Sequence, residues 1–415
     1  MAFFRNMTSL FVVTVGGYFI PLATVPYLAR VLGVEPFGIL GVATGLVAYA
    51  ILVSDWGFAL SATQMVARNQ GNPRALRRIF WATLWAKALL GIFATGSLLA
   101  LVLLLPNLRA NLVIVAAMLT QLLGSILTVS WFLQGLERMV SLALWSFLIR
   151  IMTIPATFLL VHGPGDLLIA ALIPGLSMIG VGIASLILSV RAVPLWPIRP
   201  PTRAMFHTIR EGTTIFVTMA AISLYTQANV IAVGLMAGDA QAGLFHGADR
   251  IKKAMQGLMS PIGNAAYPRI NALLVTEPAK AKRFMLLLLA GQGIAAIGIF
   301  GAILLFAPLV VKIALGQAFL DAVPTLRWLA AIPLLVGFSN VFGINMLLPF
   351  GAKKTVSHIT IAAGGLNLVL IVPFAHMWGA EGGAVAVVIA EAFVTVAMGF
   401  AAYRHFKRRF GTIMP

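Results

Sequence analysis

Charged side chains are scarce in this sequence, and those that interrupt apolar stretches are the groups that could do chemistry. Of the 415 residues, 60% are hydrophobic and 10% charged, against roughly 25% charged in soluble domains. Arg150 falls near the middle of the apolar run 141 to 161, too deep for its guanidinium to reach either face of a bilayer easily. A charge at the centre of a membrane helix costs about 2.5–3.5 kcal/mol on insertion scales, which makes it a functional candidate. An arginine suits a diphosphate, because its planar fork donates paired hydrogen bonds and stays charged. A second group, Asp249, Arg250, Lys252 and Lys253, lies in the run 242 to 265. Asp249 and Lys253 are one helical turn apart and can pair on one face, leaving Arg250 to point elsewhere, inward. The alternative is a helix that starts later, with the cluster at the outer interface. Asp55 and Glu391 interrupt two further runs. Either could balance a cation or take up a proton for ion coupling, because burial favours the neutral form of a carboxyl. Either could instead be a structural partner, for Lys87 or for Arg327.

Other chemistries have no residues to carry them. The sequence contains no cysteine, which removes disulfides, thiolate metal sites and cysteine nucleophiles. His162 and His376 have no second ligand at metal spacing, and no glycine-rich phosphate loop occurs. No metal and no cofactor are expected; coupling to a proton or sodium gradient stays open. A membrane-embedded polysaccharide polymerase or ligase would need a sizeable outer loop with catalytic groups. The largest outer connection, around Pro308 to Val323, offers only Lys312 and Asp321.

The elements that must position these charges are membrane helices. A span needs about 20 apolar residues, and such runs recur near 8 to 29, 38 to 66, 80 to 105, 112 to 133, 141 to 161 and 167 to 190. They recur again near 212 to 236, 242 to 265, 284 to 307, 324 to 349, 356 to 376 and 382 to 403. The runs lack the alternation of a membrane β-strand. An all-α membrane protein of about twelve transmembrane helices is therefore expected. The amino-terminal run lacks a small-residue cleavage site and reads as a first helix, not a removed signal. Residues 191–211, which include AVPLWPIRPP, form a cytoplasmic linker between a lobe at 1–190 and a lobe at 212–403, with a basic tail at 404–415. The halves share a spacing: Gly33, Gly38 and Ala43 match Gly238, Gly243 and Ala248, offset by 205 positions. Prolines 21, 26, 155, 174, 261 and 333 fall inside the expected helices and would bend them.

The net charge is +18. With a cytoplasmic amino terminus, about twenty basic residues, beginning with Arg5, face the cytoplasm, and Arg30, Arg109 and Lys312 face outward, as the positive-inside rule requires. Both termini are then cytoplasmic, in a bacterial inner membrane. The basic residues are spread over many short segments without a nucleic-acid motif, so they read as anchors to anionic membrane lipids, with no nucleic acid as partner.

Several segments, in order, carry a resemblance to a known family. They are PYLARVLGVEPFG from Pro26, SDWGF from Ser54, WFLQGLERM from Trp131, LYTQANVIAVG from Leu224 and AGLFHGADRIKKAMQGLMSPIGNAAYPRI from Ala242. LPFGAKK from Leu348, LNLVL from Leu366 and GAEGGAVAVVIAE from Gly379 follow. Together they resemble the Wzx-type polysaccharide-unit flippases of the multidrug, oligosaccharidyl-lipid and polysaccharide exporter superfamily. The chain departs from them at Asp249 and Arg250, where many members have a small or uncharged residue and then lysine. The resemblance implies a transporter and not an enzyme, with two six-helix lobes around a central cavity that opens alternately to either side. It implies a cargo of undecaprenyl-diphosphate-linked oligosaccharide, with polymerase and chain-length proteins as further partners. It also gives Arg30 the place of a cavity arginine, beside Arg150, Arg250 and Lys253; an interfacial anchor is the alternative. The rival within the superfamily is a multidrug or cation antiporter, whose cavity should be acidic. The candidate buried charges here are mostly basic, which favours an anionic cargo.

Overall fold

The computed structural model describes residues 20–411. Arg5, residues 8–19 of the first expected helix and residues 412–415 of the tail lie outside the described residues. The described residues are 90% helical, with no strand among them. It divides into two compact units, Met1–Ser223 and Leu224–Pro415.

In the first unit, α1 is Ile20–Leu32, α2 Val34–Arg68, α3 Pro73–Leu104, α4 Leu112–Gly135, α5 Met139–Leu160 and α6 Pro164–Ala192. Helix α7, Thr202–Ala237, carries the boundary within it. The second unit continues with α8 Asp239–Thr276, α9 Pro278–Ala314 and α10 Gln317–Leu347. The 58-residue stretch Lys353–Phe410 is two helices, α11 (353–378) and α12 (380–410), parted at Gly379 with φ 56°. Eight described stretches are long and apolar enough to cross a membrane. Counting the last of them as two, and adding α1, α7 and α8, gives a pattern consistent with twelve spans.

A helix lies at each expected run, but most extend further. Helix α8 continues to Thr276, α7 begins at Thr202 inside the expected linker, and α12 reaches Phe410 inside the expected tail. Lysine, arginine and glutamate are good helix formers. Backbone bonding thus carries on through residues that apolarity cannot mark, and the non-helical part of the linker is residues 193–201.

Local chemistry fixes the ends. Pro73 opens α3 behind Asn72, whose side chain accepts from the Ala75 amide at 3.1 Å, a cap that satisfies one orphan donor. Gly33 (φ 82°, ψ −180°) separates α1 from α2, and Gly238 (φ 89°, ψ 171°) separates α7 from α8. Only glycine adopts this conformation readily. The matched spacing in the two halves therefore marks the same hairpin built twice; Gly38, Ala43, Gly243 and Ala248 are all buried.

Prolines break two of the helices. Pro155 cannot donate to the carbonyl four residues earlier, and α5 is interrupted at Met152; α10 is interrupted at Ala330 ahead of Pro333 in the same way. Phe58, Phe80, Trp131 and Phe132 centre the first unit's core, and Met285, Ile270, Val341 and Phe406 the second's. Outward faces are as apolar as the cores: Ile92 is 71% exposed and Leu305 76%, which suits lipid as the surrounding medium.

Candidate functional site

Two groups of the charges singled out above are brought together, Asp55 with Lys87 in the first unit and the Asp249 cluster in the second. In the first, the segment SDWGF is a helix break. Helix α2 stops at Asp55, Trp56 (φ 40°) and Gly57 (φ 76°) take left-handed conformations, and helix resumes at Phe58. The left-handed state costs about 1–2 kcal/mol for a residue other than glycine. Trp56 is held in it by its indole N–H, which donates to the Ile209 carbonyl at 3.1 Å, and by stacking on Phe216 at 3.8 Å. Gly57 is closely packed as well: a β-carbon there would lie 2.8 Å from Ile215.

The break delivers Asp55 to Lys87 of α3, with Oδ1 and Nζ 2.8 Å apart. The Lys87 side chain is 4% exposed, that of Asp55 42%. The same ammonium donates to the carbonyls of Ser125 at 2.7 Å and Thr128 at 3.3 Å, and the Ser125 hydroxyl donates to Asp55 at 3.1 Å. Helix α4 is unwound at Thr128 and Val129, which takes from those carbonyls their i+4 donors, although the Ser125 carbonyl still accepts from the Thr128 amide at 3.1 Å. Of the two roles open to Asp55 in the sequence, the geometry realises charge balance, with Lys87 as the partner.

Arg150 sits where α5 is interrupted, its own carbonyl accepting from the Thr153 hydroxyl at 2.6 Å. Its side chain is exposed on the surface of its unit and not enclosed within it. Arg30 is in the last turn of α1, also exposed, three residues before Gly33.

In the second unit, α8 begins at Asp239, so the Asp249 cluster lies nearly three turns inside the helix; a later start, the alternative, is not what forms. Asp249 pairs with Lys253, 2.8 Å away, and with Lys252. The Asp249 and Lys252 side chains are 12% and 10% exposed, that of Lys253 46%. Arg250 is half-buried, and its Nε donates to His246 Nε2 at 3.3 Å. Glu391 is on α12 and half-buried. Among the described residues no ion pair joins it to Arg327. Three cations thus share one stretch of α8 with Asp249.

Sequence reasoning missed Ser125, Thr128 and His246. His246 was legible as one turn before Arg250. Nothing announced the carbonyls, because the α4 break contains neither glycine nor proline, only the β-branched pair Thr128 and Val129. No group of three or more His, Asp or Glu able to hold a metal occurs among the described residues.

Long apolar helices, several of them broken and carrying charged side chains, make this a polytopic membrane protein, and the proteins it resembles are transporters. The fold is that of the multidrug, oligosaccharidyl-lipid and polysaccharide exporter superfamily. An inward-facing multidrug-resistance transporter of that superfamily aligns with TM-score 0.70 and 16% identity, over 95% of this chain and 96% of its own. The lipid II flippase MurJ, in an inward closed conformation, aligns with TM-score 0.72 and 13% identity, over 97% of this chain and 89% of its own. Residues 3–274 match the family described as polysaccharide biosynthesis protein, and the chain belongs to that family. A candidate O-antigen transporter of Escherichia coli (strain K12) is 35% identical over 400 residues, 95% of each chain. A second, of Shigella dysenteriae, is 27% identical over 397 residues, 95% of this chain and 98% of its own.

Proposed function

We propose that this protein moves oligosaccharide units linked to undecaprenyl diphosphate from the cytoplasmic to the periplasmic leaflet of a bacterial inner membrane, for surface polysaccharide synthesis. The observation that carries the reading is the end-to-end likeness to proteins named for O-antigen transport, joined to a cluster in the second unit that brings Arg250, Lys252 and Lys253 together around Asp249. A diphosphate needs several donors that remain charged. Arg250 and Lys253 are the candidate donors in the second unit, and Arg30 and Arg150 are those in the first, each considered within its own unit. Asp249 and Glu391 balance that charge when no cargo is bound, and a proton or sodium ion is the candidate for coupling at those carboxylates. Transport proceeds by alternating access, with both termini in the cytoplasm and the polymerase and chain-length proteins receiving the product.

The test is reconstitution of the purified protein in liposomes, following an undecaprenyl-diphosphate oligosaccharide between leaflets. Transfer faster than in empty vesicles, lost in Arg150→Ala while that variant still inserts, supports the reading. Efflux of drug cations without movement of the lipid-linked sugar would assign the chain to the antiporter branch instead.

A further inference from the structure

The Lys87 ammonium is surrounded as a bound metal cation would be. Asp55 Oδ1 at 2.8 Å, the Ser125 carbonyl at 2.7 Å and the Thr128 carbonyl at 3.3 Å converge on it. Each comes from a place where the chain stops being helical. Asp55 ends the first part of α2, and Ser125 and Thr128 stand where α4 unwinds. Carbonyls at such an end have lost their i+4 donors and carry partial negative charge; that of Ser125 keeps one short-range bond, from the Thr128 amide at 3.1 Å. The amide freed on the other side of the α4 break is satisfied separately. Val129 N–H donates to Ser185 Oγ at 3.0 Å, and that hydroxyl donates to Gly182 at 2.7 Å. The break is thus closed by one hydroxyl for its donor and one ammonium for its acceptors.

Two further features give the site a size and a spare ligand. A β-carbon at Gly91, one turn after Lys87, would lie 2.5 Å from Ile126 and 3.4 Å from Ser54 Oγ, so α3 approaches its neighbours too closely for a bulky ion. Thr83, one turn before Lys87, is fully buried, and its Oγ1 has no hydrogen-bond partner among the described residues. Residues four apart share a helix face. With one carboxylate and otherwise neutral oxygens, the site balances a single positive charge.

We infer that Lys87 is a built-in cation seated in a small monovalent-cation site formed by Asp55, Ser125 and Thr128, and that removing its ammonium opens this site to potassium or ammonium ion. The lysine ties the interruptions of α2 and α4 together permanently. Asp55 is therefore compensated in every state that keeps this contact, and exchangeable ions have no place at it. The inference is independent of the cargo, since it concerns occupancy of a site and not transport.

The experiment is thermal unfolding of the full-length protein in detergent, wild type against Lys87→Ala, in potassium, ammonium or tetramethylammonium chloride at equal ionic strength. A ligand that binds only the folded state raises the melting temperature with its concentration. The expected result is a saturable rise of several degrees for Lys87→Ala in potassium or ammonium, no rise in tetramethylammonium, and no such response in wild type. Adding Asp55→Asn to Lys87→Ala should abolish the rise. If Lys87→Ala is recovered folded only when potassium or ammonium is present during extraction, that recovery supports the site equally. A rise of the same size in wild type or in tetramethylammonium, no rise in any salt, or no folded protein in any salt would overturn it.

Discussion

Replacing Asp249 by alanine separates the two lysines that share it. The Asp249 and Lys252 side chains are 12% and 10% exposed, so that pair is desolvated, whereas Lys253, at 46%, is half in solvent. Removing one member of a buried pair costs about 3–5 kcal/mol, because the other charge is stranded. The Lys252 side chain keeps 10% exposure and can turn its ammonium toward solvent, which places Asp249→Ala near about 3 kcal/mol, the low end of that range. Lys253→Ala leaves Asp249 its buried partner and removes only a half-exposed one, so it should cost less than about 1 kcal/mol. For a unit of this size each kcal/mol moves the melting point by roughly 2–4 °C. Thermal unfolding in detergent should then show losses of roughly 6–12 °C for Asp249→Ala and at most about 4 °C for Lys253→Ala. The double variant Asp249→Ala with Lys252→Met removes the stranded charge and should regain most of the loss. Equal losses for the two single variants, or a double variant no better than Asp249→Ala, would refute the claim that burial makes Lys252 the dominant partner.

Three further outcomes follow from the packing. Gly57→Ala sets a β-carbon 2.8 Å from Ile215 and 2.9 Å from the Gly212 carbonyl at φ 76°; it should cost at least about 1–2 kcal/mol, read as a lower melting point. Gly124→Ala brings a β-carbon to 2.6 Å from the backbone at Met178 and Ile179. Backbone cannot swing aside, so the α4 and α6 contact should open and cost about 1–3 kcal/mol, seen as reduced folded yield on gel filtration. Trp131 is 2% exposed with its indole N–H unpaired among the described residues. Trp131→Phe therefore forfeits no hydrogen bond and should cost about 1.5 kcal/mol or less, while Trp131→Ala should cost about 3–5 kcal/mol, both by thermal unfolding.

The existence of the helices was legible because hydrocarbon demands long apolar runs, and nothing else in the sequence competes with that signal. Their ends were not, because α8 and α12 continue through lysines, arginines and glutamates that favour helix as much as the apolar residues do. The Asp249–Lys253 pair could be read from spacing alone, since both lie on one helix. Asp55–Lys87 could only be named as one of two options: the residues are on different helices, and choosing between them needs the packing of α2 on α3. The SDWGF segment carried a glycine at the break it makes. The α4 break carried none, so two of the three oxygens around Lys87, which are backbone atoms, had no side-chain signature at all.

The two units hold their buried charge in different ways, and the difference bears on which of them can respond to a ligand. In the first, the one ammonium described as buried is bonded to three oxygens from two other helices. Displacing it would strand a carboxylate and two carbonyls together. In the second, every described ion pair of the cluster runs between residues three or four apart on α8, so those contacts can be exchanged by side-chain rotation without moving a helix. Lys253 is half-exposed, and Arg250 is held by a single 3.3 Å hydrogen bond to His246, so neither needs a large rearrangement to turn toward an anion. Asp249 is the carboxylate that holds both lysines, and under the proposed function a diphosphate would bring more charge and more acceptor oxygens than that one carboxylate. The first unit thus ties its buried charge across helix breaks, and the second holds its charge in contacts along a single helix that side-chain rotation alone can exchange.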